Sequence, residues 1–444
     1  MSYNKSKLAK YLQLLIENTT DDSSSFDSSE PHSVLGGAGS AFEIVGEDGR
    51  RMVGQVGEDA PPTLYIKQDG LAAKNDFANE CLKSREFATQ IGTDALFKRL
   101  DELLKEIVPK GESEIDFADI VKKDILKKLR ADVKTWKVRA PITNLKIANE
   151  IQIGAVTFLP HHYGIVENTK MVMNHNGAED KDKNISDKAA ILKVLGSFAA
   201  QGSAWALTEV DAHAERINHV AGEKIETSIN VVRCFTHVFH SHSLSAAFGL
   251  PYELIGGQTG YIAESDFGMN IQWDRRGMYA PFEINDSVIK HLEENCCLGD
   301  LSRIAATKWE DLNTLESALR VAIQWLGRSV IALTNADAFT LCAITIERIL
   351  ICDGEETTVE KFADRLAYLI SDVGDDRKRI HRMAKRLYGV RSKIVHAGFE
   401  AVEKQQLQEM EHLALSALVA TAKQLGELDS HEKLKSLLHD RKLS

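Results

Sequence analysis

The 444-residue chain has no apolar run approaching the roughly 20 residues that span a bilayer. Its richest candidate, Leu413 to Ala422, is short and broken by Ser416 and Thr421, so it reads as a core helix. The opening MSYNKSKLAKYLQLL lacks a sustained apolar segment with a small-residue cleavage site, which argues against secretion and for a cytoplasmic protein with no membrane contact. Paired cysteine motifs are also missing. Cys81, Cys234, Cys296, Cys297, Cys342 and Cys352 show no CxxC spacing, and the adjacent Cys296 and Cys297 are badly placed to bridge each other. This excludes a zinc ribbon and leaves reduced, mostly buried thiols. Finally, the chain lacks net positive charge: at −11 it has no general coat of positive potential for nucleic acid.

What is present is a soluble globular composition, 43% hydrophobic and 27% charged, over a length that suggests two or three domains. Leu8, Leu12 and Leu15 recur at helical spacing and predict a helix over Lys5 to Glu17. The polar TTDDSSSFDSSEPHS that follows reads as a flexible linker, so residues 1–35 form a first segment. The cluster Gly36-Gly37-Ala38-Gly39-Ser40 has neither a preceding apolar strand nor a following Gly-Lys-Ser/Thr, so it reads as entry to a domain and not as a phosphate loop. Residues 36–300 predict a mixed α+β region. Its strands are AFEIV, RMVGQV, TLYIK, IQIGAVTFLP, SAWALTEV and parts of 256–273, and helices are expected over 76–107, near 117–134, and over 212–232 with Asp211 as N-cap. GAEDKDKNISDK, residues 177–188, is a charged surface loop. From 301 to 430 the pattern is helical, with helices near 312–334, 337–352, 359–373, 377–396 and 401–425, and 431–444 reads as a tail. The fold class is therefore α+β, a mixed α/β N-terminal region followed by an all-α C-terminal bundle.

Histidines His237, His240 and His242 are spaced so that they can ligate a metal, but no acidic or thiolate partner sits at a characteristic distance and the interleaved aromatics suggest packing. Adjacent His161 and His162 point to opposite faces of a strand. Trp273 with Arg275 and Arg276 can stack bases, although core packing with a basic turn is the commoner outcome. No metal and no cofactor is expected.

The segment Lys378 to Gly398, KRIHRMAKRLYGVRSKIVHAG, runs against the acidic balance. Arg377, Lys378, Arg379, Arg382, Lys385, Arg386, Arg391 and Lys393 fall between Asp376 and Glu400 with no carboxylate between, and a helix of that composition presents a basic ridge able to track phosphates. Arg391 and His396 supply a guanidinium that can neutralise a phosphorane and an imidazole that can move a proton without a metal. Five residues apart on a regular helix they diverge by about 140°. Convergence then calls for a widened turn, a fraying end at Gly398, or a second copy of the motif, and the last two together are the expectation.

The run Leu387-Tyr388-Gly389-Val390-Arg391-Ser392-Lys393-Ile394-Val395-His396-Ala397-Gly398 resembles the signature of the HEPN superfamily, specifically its Apea-like branch, written LY-x-x-RS-x-IVH-G. Ala397 departs from it, since the family often has Gly immediately after His. A second block, Ala322 to Ile349, is similar to the family's preceding helix pair, with its late acid at Glu347, and Ile229 to Arg233 matches loosely a segment that precedes the domain. The resemblance covers about the last third of the chain, so 301–430 is expected to be a HEPN-like domain.

It implies an RNA endonuclease in which a 2′-hydroxyl attacks the adjacent phosphate, with His396 as general acid or base and Arg391 holding the phosphate. Ser392 would orient phosphate or imidazole, Glu347 would fix Arg391, and Arg386 and Lys393 would bind substrate. Tyr388 is expected to pack. It also implies a homodimer and a role in prokaryotic antiviral defence by abortive infection, with the N-terminal region answering a phage-derived or regulatory trigger. The alternative from another class is a non-catalytic RNA- or protein-binding module.

Overall fold

The computed structural model describes residues 3–21, 32–35, 64–110, 115–162, 204–239, 246–254, 257–265, 268–276, 281–352, 354–398 and 401–443. The Gly36 to Ser40 cluster, the AFEIV and RMVGQV strands, the 177–188 loop and His240 with His242 lie outside them. The chain divides into two units, Met1–Val138 with Glu209–Ala221, and Arg139–Thr208 with Gly222–Ser444. Composition marks exposed stretches, whereas a unit is made by the elements that share a core.

In the first unit α1 (Lys5–Glu17) starts at Asn4, whose side chain accepts from the Ser6 and Lys7 amides, and its Leu8, Leu12 and Leu15 are fully buried. It is part of a core and not a separate segment. Strands β1 (Thr19–Thr20) and β2 (His32–Leu35) flank β3 (Leu64–Lys67), both antiparallel to it. Then come α2 (Gln68–Leu82), a π turn at Phe87–Ile91, α3 (Gly92–Ile107), and α4 (Phe117–Ile120) joined through a π segment to α5 (Lys128–Ala131). Phe77, Phe87, Leu96, Leu100 and Leu104 close this core around α1.

Strand β4 (Lys134–Ile142) leads to β5 (Leu145–Ile147), the hairpin of β6 (Ile151–Ile153) and β7 (Val156–Leu159), and β8 (Ala204–Ala212), in a four-stranded sheet ordered β4-β8-β7-β6. Asp211 does not cap a helix. The buried and exposed alternation of β8 continues through Ala212, and the Asp211 carboxylate accepts from Thr135 Oγ1 at 2.6 Å. Helix α6 (Ile217–Arg233) begins only after a 3-10 turn capped by His213.

In the second unit α7 (Thr236–Phe239), the hairpin β9 (Gly257–Ser265) and β10 (Gly268–Arg276), and β11 (Phe282–Ile284), parallel to β5, precede α8 (Asp286–Cys296) and α9 (Leu298–Ala306). From there the described chain is helical: α10 (Thr314–Ser329), α11 (Asn335–Leu350), α12 (Val359–Ile370), α13 (Gly374–Ala397), α14 (Lys404–Ala422) and α15 (His431–Leu443). Each of α10, α11 and α12 opens on a side-chain cap, from Asn313, Thr334 and Thr358. Helix α11 packs on α10, α13 and α14, while α12 packs on α13 and α15. The last stretch is no tail: Leu434 and Leu438 are buried, and the buried His431 ring bonds the Ile349 carbonyl at 2.7 Å. The class is α+β, with an all-helical C-terminal part. No helix among the described residues is long and apolar enough to cross a membrane.

One buried charge organises the start of this unit. Arg233, 0% exposed, forks onto Glu253 at 3.1 and 3.0 Å, donates from Nε to the Phe248 carbonyl at 2.7 Å, and reaches Asn230 Oδ1 at 3.0 Å. Glu253 also accepts from the Leu250 amide at 2.7 Å. Gly249 lies against this clamp, where a Cβ would meet Arg233 Nη2 at 2.0 Å and Glu253 Oε2 at 2.7 Å. Displacing one member of a buried pair leaves the other uncompensated. Gly249→Ala is therefore expected to cost on the order of 3 kcal/mol, read as a lower urea midpoint. An unchanged midpoint would mean that the clamp yields freely.

Candidate active site

Helix α13 positions the motif. Ile380, Ala384, Leu387 and Tyr388 are its buried residues, at helical spacing, and Arg391 continues that seam one turn on. The helix is regular α through Ala397, and Gly398 ends it in the left-handed region at φ 63°, its N–H closing on the Lys393 carbonyl. There is no widened turn and no frayed end, so the expected loosening is corrected. Arg391 lies on the inner face, and His396, about 140° around the helix, is exposed with no hydrogen-bond or ion-pair partner among the described residues.

On the inner face Arg391 meets an acid of α11. Its Nη2 meets Glu347 Oε2 of α11 at 3.2 Å, with side chains 21% and 17% exposed, and the guanidinium sits 5.7 Å from the Tyr388 ring centroid. Only Nη2 engages the carboxylate. Burial, and then the Glu347 carboxylate, push the Tyr388 phenol up, and its ring packs on Phe362 at 4.7 Å, so Tyr388 is a packing residue. Ser392 is half-buried and Lys393 exposed.

The basic ridge is narrower than its sequence implies. Of the eight cations, Arg377 meets Asp372, Lys378 meets Asp375, Arg379 meets Asp376, Lys385 meets Glu360, Arg386 meets Glu409 and Arg391 meets Glu347. Arg386, expected to bind substrate, is thus engaged by α14. Arg382 and Lys393 meet no carboxylate among the described residues, and Arg382 bonds only the Lys378 carbonyl, at 3.4 Å. On the helical wheel Arg382, Lys393 and His396 fall within about 60° of one another. The outer face therefore carries two uncompensated cations and an open imidazole in one stripe.

His237 lies in α7, while His240 and His242 are outside the described residues. Among the described residues no group of three His, Cys, Asp or Glu is arranged to hold a metal. The six cysteines are free thiols, and five of them are buried.

Sequence reading passed over Glu411. It falls on the apolar stripe Leu407, Ala414, Leu418 of α14, a pattern that marks a buried acid in advance. Burial pushes its carboxyl up to about 7, opposed by Lys404, beside a cavity of about 680 Å³.

Compared with known protein families, curated proteins and solved structures, the chain matches none. The HEPN resemblance rests on the motif residues alone.

Two measurements test this geometry. In a double-mutant cycle of Glu347→Gln and Arg391→Gln, the coupling read from urea unfolding is expected near 1 kcal/mol, and zero coupling would mean that the pair contributes only its appearance. Glu411 holds its proton to a higher pH when folded than when unfolded, so its contribution to stability is fully present below about 4.5 and is lost progressively as pH rises from there through about 7. Glu411→Gln is expected to unfold at a higher temperature than wild type at pH 8, with the gap closing toward pH 4.5. A gap independent of pH would show that Glu411 does not titrate in this range.

Proposed function

We propose that the chain is a metal-independent RNA endonuclease of HEPN type whose cleft is assembled from two copies, acting in prokaryotic antiviral defence. The observation that carries this reading is the held but partly exposed guanidinium of the motif: Glu347 orients Arg391 through Nη2, and the exposed fifth of the side chain is left for a phosphate. The exposed imidazole of His396 and the uncompensated Lys393 on the same helix end supply the proton carrier and a second cation.

Within one chain Arg391 and His396 face apart, so the reaction needs a second α13 end to complete the cleft, and two-fold pairing brings two sets of groups together. In the step proposed, one His396 takes the proton of an RNA 2′-hydroxyl as its oxygen attacks the adjacent phosphorus. The bond from phosphorus to the 5′-oxygen breaks, and the second copy's His396 protonates that leaving oxygen. Arg391 and Lys393 balance the extra charge on the non-bridging oxygens. The products are a 2′,3′-cyclic phosphate and a 5′-hydroxyl end.

The divergence of Arg391 and His396 on a regular helix favours a second reading, a non-catalytic module that docks RNA or protein, with Arg391 purely structural. One experiment separates the two. Purified protein is incubated with total RNA in EDTA and the fragment ends are analysed, alongside Arg391→Ala and His396→Ala. Cyclic phosphate ends are expected from wild type, with a loss of at least a hundredfold in rate in each variant, and a wild-type dimer by sedimentation. Cleavage unchanged in both variants would end the catalytic reading, and full-rate cleavage by a monomer would end the two-copy cleft.

A further inference from the structure

A second basic concavity lies away from the Arg391 seam, between α12 and α15. It is a cleft of about 240 Å³ lined by Lys361, Arg365, Tyr368, Lys435, His439 and Lys442. Three of these cations crowd one carboxylate: Arg365 forks onto Glu355 at 2.8 and 2.7 Å, with Lys361 at 3.5 Å and Lys435 at 3.8 Å. The hydrogen bonds from Arg365, with the fields of Arg365, Lys435 and Lys361, bring Glu355 down to about 2 against the opposing effect of burial. Asp364, the other acid on the wall, is shared between Lys442 and His381 Nε2 of α13 at 3.2 Å. His439 is exposed and has no partner among the described residues. Four full cations and an imidazole thus face Glu355 and Asp364, with Glu360, which Lys385 already pairs, the next acid acting on Lys442.

The cleft meets α13 through Asp364, which His381 approaches from that helix. His381 also approaches Glu360 at 3.6 Å, the acid that Lys385 pairs with. On the wheel Lys385 lies about 60° and His381 about 100° from Arg382, so the path runs from the stripe over these two side chains to α12 and on to α15. The character of the groups says what they read. Arg365 spends its fork on Glu355, and the Tyr368 ring is covered by Arg377 at 4.7 Å, so neither bidentate base recognition nor stacking is offered. What is offered is the open imidazole of His439 and lysines that share two carboxylates, Lys361 and Lys435 at 3.5 and 3.8 Å from Glu355 and Lys442 on Asp364, point charges and donors suited to a phosphate whatever base it carries.

We infer that the cleft between α12 and α15 binds backbone phosphates of an RNA strand whose scissile bond lies at the α13 end, a base-independent site outside the cleavage centre. This rests on the ribonuclease reading for its occupant, though the cleft's preference for phosphate does not. The test is fluorescence anisotropy of a labelled 2′-O-methyl oligoribonucleotide, which binds but lacks the attacking hydroxyl, titrated with full-length protein at several salt concentrations.

Lys435→Ala with His439→Ala and Lys442→Ala is expected to weaken affinity about tenfold and to lower the log-log salt slope by about 1.4, at roughly 0.7 for each phosphate that a lysine no longer neutralises. Asp364→Asn, which removes a competing charge, is expected to tighten binding about threefold, so the inference does not depend on variants that weaken. RNA binding that ignores both changes overturns the cleft and leaves the ribonuclease reading standing. If RNA does not bind, while tripolyphosphate raises the melting temperature of wild type and not of the triple variant, the RNA strand falls as occupant, and the ribonuclease reading with it.

Discussion

Helix α13 keeps its i to i−4 hydrogen-bond ladder as far as Ala397, and that regularity decides what the motif can do. Each residue turns the helix by about 100°, and burial of Ile380, Ala384, Leu387 and Tyr388 sets which side faces inward. Arg391 must then fall on the inner seam and His396 outside. Rotating the helix to bring His396 inward would expose those apolar side chains, at roughly 1.5 to 3 kcal/mol for each large one. The pair is therefore not waiting on a small rearrangement within one chain. Any chemistry between these two groups is a matter of assembly.

The same packing reshapes the charge. Read along the chain, cations from Arg377 to Lys393 have no acid among them; in space the acids arrive from elsewhere, Glu347 on α11, Glu360 on α12, Glu409 on α14 and Asp372 in the preceding joint. Exposed pairs of this kind add little stability, but they cancel field locally and so sort the cations. Arg382 and Lys393 meet no carboxylate among the described residues, whereas on the far wall of α12 and α15 each full cation shares Glu355 or Asp364.

Much of the helical part was legible because its signals are local. Leu8, Leu12 and Leu15 announced α1 with its true ends, and the five helices from α10 to α14 were placed with ends up to five residues off, the largest miss at Ser329 of α10. The roughly 140° divergence of Arg391 and His396 also followed from spacing alone. What was illegible depends on distant residues. Asp211 looks like a cap until Thr135 claims its carboxylate, and the Arg233 clamp needs Phe248 and Glu253, 15 and 20 residues further on, folded back around Gly249. The division into units was unreadable for the same reason: β8 returns beside strands from much earlier in the chain. Composition cannot report such a return.

Two arginines in the helical part make the final contrast. Arg365 meets Glu355 through both Nη atoms, so its fork is closed and its task is to join α12 to the loop before it. Arg391 meets Glu347 through Nη2 alone, and its Nε is buried with no acceptor among the described residues. A buried donor left unmade costs on the order of 1 to 3 kcal/mol, but Arg216 Nε and Arg99 Nη2 are in the same state, so the unpaired Nε does not by itself mark Arg391 as a phosphate ligand. What bears on the ribonuclease reading proposed above is the part of Arg391 that solvent reaches, about a fifth of its side chain. On that reading a phosphate oxygen would meet the guanidinium there and not at the buried Nε, and Glu347, holding one nitrogen, would set the direction in which that exposed part points.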